Sequence, residues 1–347
     1  MHMADALISP TVGGVLWIAS AGLTAYSARR LKADADERRA PLMGVLGAFV
    51  FAAQMVNFSI PGTGSSGHLA GGMLLAALLG PHAAFLTMAS ILTVQALFFA
   101  DGGLLALGCN IFNLGFFACF VAYPLIYRKI AAGRTDRRRL FAGAVLSSVV
   151  ALQMGAFGVV LETAFSGISE LPLRTFALMM QPIHLAVGLV EGFVTAAVIA
   201  FVGKARPEIL EAAAAPGRTR HFPVRNVLAA MLVAAVLTGG VLSWFASSSP
   251  DGLEWSMLRT SGRESLEAPA GGLHALAAAV QEKLALMPDY DFRKSEAPSP
   301  AGTAEQEKGE GWPAPNPGTS TAGLIGGALT LALAGLIGLG MRKLAAK

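Results

Sequence analysis

The sequence predicts an all-α polytopic integral membrane protein: a seven-helix body followed by two further transmembrane helices. Three observations carry that expectation. First, 54% of the residues are hydrophobic and only 14% are charged, with a mean hydropathy of +0.58, whereas soluble domains average about 25% charged residues. Second, apolar stretches long enough to cross a bilayer, about 17–25 residues, recur along the chain between polar connections. Third, the basic residues cluster in alternate connections, as they do when Lys and Arg stay on the cytoplasmic side.

The expected spans follow in order. The first covers Thr11 to Ala28 and the second Leu42 to Phe58. A Gly- and Ser-rich loop, Pro61-Gly62-Thr63-Gly64-Ser65-Ser66-Gly67, leads into a third stretch from His68 to Gly80, too short to cross unless its loop extends it. The fourth covers Ala83 to Ala100, the fifth Leu104 to Tyr127, the sixth Leu140 to Phe165 and the seventh Thr175 to Val202. An eighth span, Val227 to Ala246, and a ninth, Ala322 to Met341, flank a polar region. The chain so divides into a body, 1–205, a cytoplasmic linker, 206–225, and a C-terminal part, 226–347.

Charge sets the orientation. Arg29, Arg30, Lys32, Arg38 and Arg39 follow span one; Arg128, Lys129, Arg134 and Arg137 to Arg139 follow span five. Lys204, Arg206, Arg218, Arg220 and Arg225 follow span seven, and Arg342, Lys343 and Lys347 end the tail. These are 19 of the 26 Lys and Arg, and they share one side only if nine spans are counted rather than eight. The N-terminus is then outside and the C-terminus inside. The net charge of +4 reflects this sorting and not a nucleic-acid surface. The outer connection between the last two spans (247–321) carries eleven acidic residues, among them Asp251 and Glu254, against six basic ones. Within it, Gly271 to Met287 reads as an amphipathic helix with Leu273, Ala277, Val280 and Leu284 near one face. His274 there reads as solvated, and Glu296 to Ser320 as linker.

The residues that could carry chemistry begin at the first position. A signal peptide opens on a basic segment; this chain opens Met1-His2-Met3-Ala4-Asp5. On its own, that is an ordinary chain start with a chance histidine. A free α-amine, the backbone nitrogen of His2 and its imidazole can, however, close two fused chelate rings and leave a fourth position open. An all-nitrogen planar set suits Ni(II) or Cu(II), and Co(II) less strictly. The fourth ligand must lie on the same side, and His68, at the end of the Gly-rich outer loop, meets that condition. Irregular backbone at membrane depth is tolerated where protein covers it or it lines a cavity, which favours a role for this loop over a plain connecting turn.

Other polar groups lie in or near the spans. Gln153 and Glu162 fall on span six; Gln181, His184 and Glu191 fall on span seven, where His184 and Glu191 share a face two turns apart. Intramembrane ionisable groups are rare and mark function or buried pairing. They read as supporting or helix-packing partners sooner than as ligands. Asp101, in the outer corner Asp101-Gly102-Gly103, and Asn110 could hold a ligand histidine by hydrogen bonding or simply stabilise the turn. His82 and His221 fall on the inner side, away from an outward site. Cys109 and Cys119 read as small buried apolar residues. Small residues at Ala21 and Ala25 of span one could let another helix approach. No G-x-x-x-x-G-K-[ST] phosphate loop and no H-E-x-x-H occur, so the chain is not expected to be an enzyme, and any ATP hydrolysis falls to partners.

These residues carry a resemblance. Met1-His2-Met3-Ala4-Asp5, Gly67-His68, Leu97-Phe98-Phe99-Ala100-Asp101-Gly102-Gly103 and Gly108-Cys109-Asn110-Ile111-Phe112-Asn113 resemble the CbiM/NikM substrate-binding subunits of energy-coupling-factor cobalt and nickel transporters. Cys109 departs from the small residue expected there. Ser249-Pro250-Asp251-Gly252-Leu253-Glu254 with the last span is similar to the small CbiN/NikN partner, here fused to the same chain. The resemblance implies a seven-helix, N-out body whose N-terminal segment tucks inward, with Ni2+ or Co2+ as transported substrate. Metal ligands carried over are Met1, His2 and His68; Asp101, Asn110, His184 and Glu191 could support them. Implied partners are a transmembrane coupling subunit and ABC ATPases in a bacterial cytoplasmic membrane, with the C-terminal part aiding metal loading. No organic cofactor is implied. An ion-coupled secondary transporter with its site at the broken third span is the alternative function; a metal-sensing receptor would need a signalling domain that does not follow the last span.

Overall fold

A computed structural model describes residues 2–32, 38–131, 136–214, 223–293 and 312–345. Met1, Arg134, Arg218, Arg220, His221, Lys347 and residues 294–311 of the expected linker lie outside the described residues.

Helix α1 (Pro10–Lys32) opens on Pro10 and closes on Arg29, Arg30 and Lys32. Proline suits a first helical turn, and cations suit the negative end of the helix dipole. Helix α2 (Arg39–Gln54) runs into a β-hairpin, β1 (Phe58–Ile60) with β2 (Ser65–Gly67), in which Phe58 pairs with Gly67. Its turn needs left-handed backbone at Gly62 (φ 77°) and Gly64 (φ 75°), which glycine adopts without steric penalty. The loop expected ahead of His68 is therefore a two-stranded clip.

Helix α3 (Gly72–Leu79) has eight residues, all buried. At 1.5 Å per residue it rises about 12 Å, well under the roughly 30 Å of a hydrocarbon core. Gly80 then turns the chain into α4 (Pro81–Phe98). The short third stretch is thus a half-helix sheathed by protein, the setting in which broken helices are tolerated. Helix α5 (Leu107–Ile130) is π-wound over Phe112–Tyr127 and contains Pro124. Helices α6 (Arg137–Ser166) and α7 (Leu173–Ala205) form the long antiparallel pair that completes the body. They are tied by Gln153, whose amide donates to the Gln181 carbonyl at 2.8 Å.

A short helix, α8 (Pro207–Ala214), precedes the C-terminal part: α9 (Arg225–Gly240), α10 (Gly252–Ser261), α11 (Gly272–Leu284) and α12 (Pro317–Ala345). Among the described residues, α4, α5, α6, α7 and α12 are long and apolar enough to cross a membrane, and α2 and α9 are shorter apolar helices. Helices α2 and α12 touch closely enough that a Cβ at Gly44 would sit 2.9 Å from the Leu331 carbonyl oxygen. Small residues allow such approach in a membrane, where dispersion contacts rather than hydrophobic burial hold helices together.

Two expectations change, at the start of the last helix and at His274, and the contact face of α1 is resolved. The last helix begins at Pro317, five residues before Ala322. Ala21 and Ala25 are exposed; the contact face of α1 is Gly13, Ser20 and Ser27, seven apart and so aligned over two turns. There, the Ser20 hydroxyl donates to the Gly108 carbonyl at 2.6 Å. His274 is not solvated: it is buried, and its Nε2 donates to the Ile8 carbonyl at 2.9 Å. On α11 the apolar residues Leu273, Val280 and Leu284 face outward instead.

Candidate metal centre

The site is built on the folded-back N-terminal segment. Met3, Leu7 and Ile8 are buried, and the chain between them makes a 3-10 turn over Asp5–Leu7. Asn110 holds Met3 as a neighbouring strand would. Its Oδ1 accepts from the Met3 N–H at 2.8 Å, and its Nδ2 donates to the Met3 carbonyl at 3.2 Å. The Gly103 N–H donates to the same carbonyl at 2.9 Å, and Asp5 Oδ1 accepts from the Ala106 N–H at 2.9 Å. The segment is anchored along its own backbone to the corner between α4 and α5.

These anchors bring His2 onto His68. The two imidazole planes are parallel within 2°, with centroids 5.2 Å apart. Their side chains are 8% and 9% exposed. His2 Nδ1 lies 3.2 Å from Asp101 Oδ1, while His2 Nε2 is buried with no hydrogen-bond partner among the described residues. A polar atom buried without a partner is costly in a folded protein. His68 Nδ1 donates to the Leu69 carbonyl at 3.1 Å, which leaves the lone pair on Nε2. Burial is the main force on both rings. It lowers the pKa of His2 below its ordinary value and that of His68 to about 3, so both are neutral near pH 7, the form that binds metal.

Three shells of contacts fix the His68 loop. Glu191 Oε2 accepts from the backbone N–H groups of Ala70 (2.7 Å) and Gly71 (3.2 Å). Gln54 Nε2 donates to the Ala70 carbonyl at 2.8 Å, and Gln95 in turn donates to Gln54 Oε1 at 2.8 Å. His184 is 2% exposed; its Nδ1 donates to the Met180 carbonyl at 2.8 Å, and it shares a small cavity with His68 and Asp251. Glu162 lies deeper, bonded by Asn113 Nδ2 at 2.7 Å.

The structure thus gathers His2, His68 and Asp101 at one point, and sets Asn110 and Glu191 on the backbone flanking them. Among the described residues no three His, Cys, Asp or Glu side chains form a metal-holding group.

The C-terminal part closes over the site, which nothing in its composition signals. The Ser66 N–H donates to the Pro250 carbonyl at 2.8 Å, and the Ser66 hydroxyl donates to the Ser249 carbonyl at 2.7 Å. Asp251 Oδ2 comes within 3.9 Å of His68 Nε2, and Gly252 packs on the His184 ring, where a Cβ would lie 3.1 Å from Cε1. Tyr290 donates its hydroxyl to Asp101 Oδ2 at 2.5 Å, and Gln281 donates to the Gly102 carbonyl at 2.7 Å. One signal for this corner is legible in the residues themselves: Asp251 with Glu254 three residues on is a capping-box pattern.

Helices of spanning length define a membrane protein, and among them lies a buried pair of parallel imidazoles. The comparisons with known proteins agree. The family model for the cobalt uptake substrate-specific transmembrane region, CbiM, matches residues 2–209, and the PDGLE domain model matches residues 225–343. This chain belongs to the CbiM family and carries a PDGLE domain. A fused NikMN relative of Archaeoglobus fulgidus is 36% identical over 237 residues, covering 68% of this chain and 76% of that protein. The fused nickel transport protein NikMN of Rhodobacter capsulatus is 31% identical over 291 residues, covering 79% and 81%. The crystal structure of a transition metal transporter superposes with a TM-score of 0.53 at 30% identity, covering 61% of this chain and 96% of that one.

Proposed function

We propose that this chain captures a divalent transition-metal ion, Ni2+ ahead of Co2+, as the substrate-binding subunit of an energy-coupling-factor ABC transporter. It works in a bacterial cytoplasmic membrane with nine spans and the N-terminus outside. The observation that supports this most directly is the buried pair of parallel neutral imidazoles, His2 and His68, with His2 Nε2 lacking a partner among the described residues. The ligand set is the Met1 amine, the backbone nitrogen and imidazole of His2, and Nε2 of His68. Ring closure with its own backbone nitrogen uses His2 Nδ1, which now faces Asp101. Binding therefore turns the imidazole about Cβ–Cγ: Nδ1 meets the ion and Nε2 becomes the donor to Asp101, the carboxylate–histidine–metal arrangement that fixes a ligand ring. Four nitrogens in a plane lean towards Ni(II).

The coupling subunit and the ATPases are partner chains, since the sequence has no phosphate loop. The test is uptake of radioactive nickel by cells expressing the whole transporter. One residue added ahead of Met1 should abolish it, because the α-amine leaves the chelate. His2→Ala and His68→Ala should each lose metal from the purified protein, and His221→Ala should keep it. Normal uptake by the extended, correctly inserted variant would sink the chelate reading. Uptake that survives removal of the coupling subunits would assign the chain to secondary transport instead.

A further inference from the structure

We infer that α11 is an interfacial helix, seated in the bilayer surface on the side of the membrane that carries the N-terminus. Leu273, Leu276, Val280 and Leu284 lie in the phospholipid, at the boundary between headgroups and acyl chains. The inference goes beyond metal capture and holds for any cargo.

The helix sorts its residues onto three sides. At 3.6 residues per turn, Leu273, Leu276, Val280 and Leu284 fall within about 80° of one another, and each is between 40% and 60% exposed. His274 and Gln281 lie together about a quarter turn away, and that side is bonded to the body. His274 Nε2 donates to the Ile8 carbonyl at 2.9 Å, and Gln281 Nε2 donates to the Ala96 and Gly102 carbonyls at 2.9 and 2.7 Å. Ala275 and Glu282, on the side away from the apolar stripe, are exposed. A helix held on one side, apolar on the next and open on the third has the cross-section of one lying in a membrane surface.

The bonds also set its height. Helix α4 is of spanning length; at 1.5 Å per residue it rises about 27 Å, so its last turn stands close to one edge of a hydrocarbon core. Ala96 lies in that turn, and the Leu286 and Met287 N–H groups, just past α11, donate to the Phe98 carbonyl at 2.8 and 3.1 Å. At its other end α11 is held by Ile8, just ahead of α1. Among the described residues the stripe stays open, and residues 294–311 contain no Leu, Ile, Val, Met or aromatic side chain that could pack on it. An apolar stripe about 16 Å long would be a liability in water; at this height lipid covers it. The helix carries one acid, Glu282, and one base, Lys283, so apolar insertion rather than lipid charge holds it. Lipid seating steadies the segment that follows, in which Tyr290 donates to Asp101 Oδ2.

Spin labels test this in the full-length protein, reconstituted without nickel in phosphatidylcholine nanodiscs open on both faces. Leu276→Cys and Val280→Cys carry the label on the stripe, and Ala275→Cys and Glu282→Cys carry it on the far side. The unsubstituted protein, whose Cys109 and Cys119 are buried, gives the background. Relaxation by oxygen, which concentrates in lipid, is compared with relaxation by chromium oxalate, which stays in water. We expect the oxygen-to-chromium ratio to be several-fold higher at Leu276 and Val280 than at Ala275 and Glu282. Equal ratios at all four positions would put the stripe in water and overturn the inference. Stripe labels shielded from both reagents, with dipolar broadening between them, would assign the face to a second copy of the chain and overturn it too. Because the labels are read without nickel, either failure leaves the capture reading to its own His2 and His68 variants.

Discussion

At the residue scale, the centre depends on keeping imidazoles dry. Burial disfavours the charged form of His2 and His68 and keeps both rings neutral near pH 7. The same burial makes the metal-free protein sensitive to acid. The unfolded chain takes up a proton at His68 below about pH 6.5, the ordinary value, whereas the folded chain resists until about pH 3. Protonation therefore favours the unfolded state, and the stability of the metal-free protein should fall as the pH drops from about 6.5 toward 3. Thermal melts in detergent across that range check this. His68→Gln, which cannot take the proton, should show a shallower fall; an equal slope would show that His68 titrates normally.

At the element scale, the N-terminal segment is held by backbone contacts more than by its side chains. The corner at Gly103 is the closest of these. A Cβ there would lie 2.5 Å from the Asp5 backbone nitrogen, a clash between main-chain atoms that no rotamer change relieves. Gly103→Ala should displace the segment at about 1–3 kcal/mol, the usual magnitude of overpacking. Gly14→Ala is the matching control, since a Cβ at Gly14 on α1 meets nothing within 4 Å. We expect Gly103→Ala to weaken nickel binding while helix content by circular dichroism is unchanged, and Gly14→Ala to bind as the wild type does.

At the scale of the whole molecule, the chain is two packed parts that share one site. Helix α12 lies against α2 at Gly44, and the Pro250–Glu254 corner and Tyr290 close over His68 and Asp101. Such contacts do not depend on the covalent link. Residues 1–214 and 223–347, produced as separate polypeptides in one cell, should co-purify and restore nickel uptake, while 1–214 alone should load poorly. Uptake by the body alone at the level of the intact chain would show that the C-terminal part is dispensable.

How far the sequence reaches can be judged from particular residues. Hydropathy and charge depend on composition along the chain, so the apolar helices, the half-length third stretch and the acidic connection before the last helix are all legible in the linear sequence. His2, His68 and Asp101 are legible as candidates because their residue types and the expected sidedness agree. Ala21 and Ala25 of α1 are exposed while Gly13, Ser20 and Ser27 make its contact face, a distinction periodicity does not draw where small residues fill every side of an alanine-rich helix. His274 is misjudged for another reason. It sits in a polar connection that looks solvated, and it meets a partner, Ile8, far away in sequence. Sequence alone thus determined which stretches are apolar helices, and it offered His2 and His68 as candidates that the structure brings together. Only the tertiary structure decided how the N-terminus packs against Asn110 and Gly103 and that the C-terminal part closes over it, because both rest on hydrogen bonds whose partners, such as Asn110 with Met3 and Ser66 with Ser249, lie far apart in sequence.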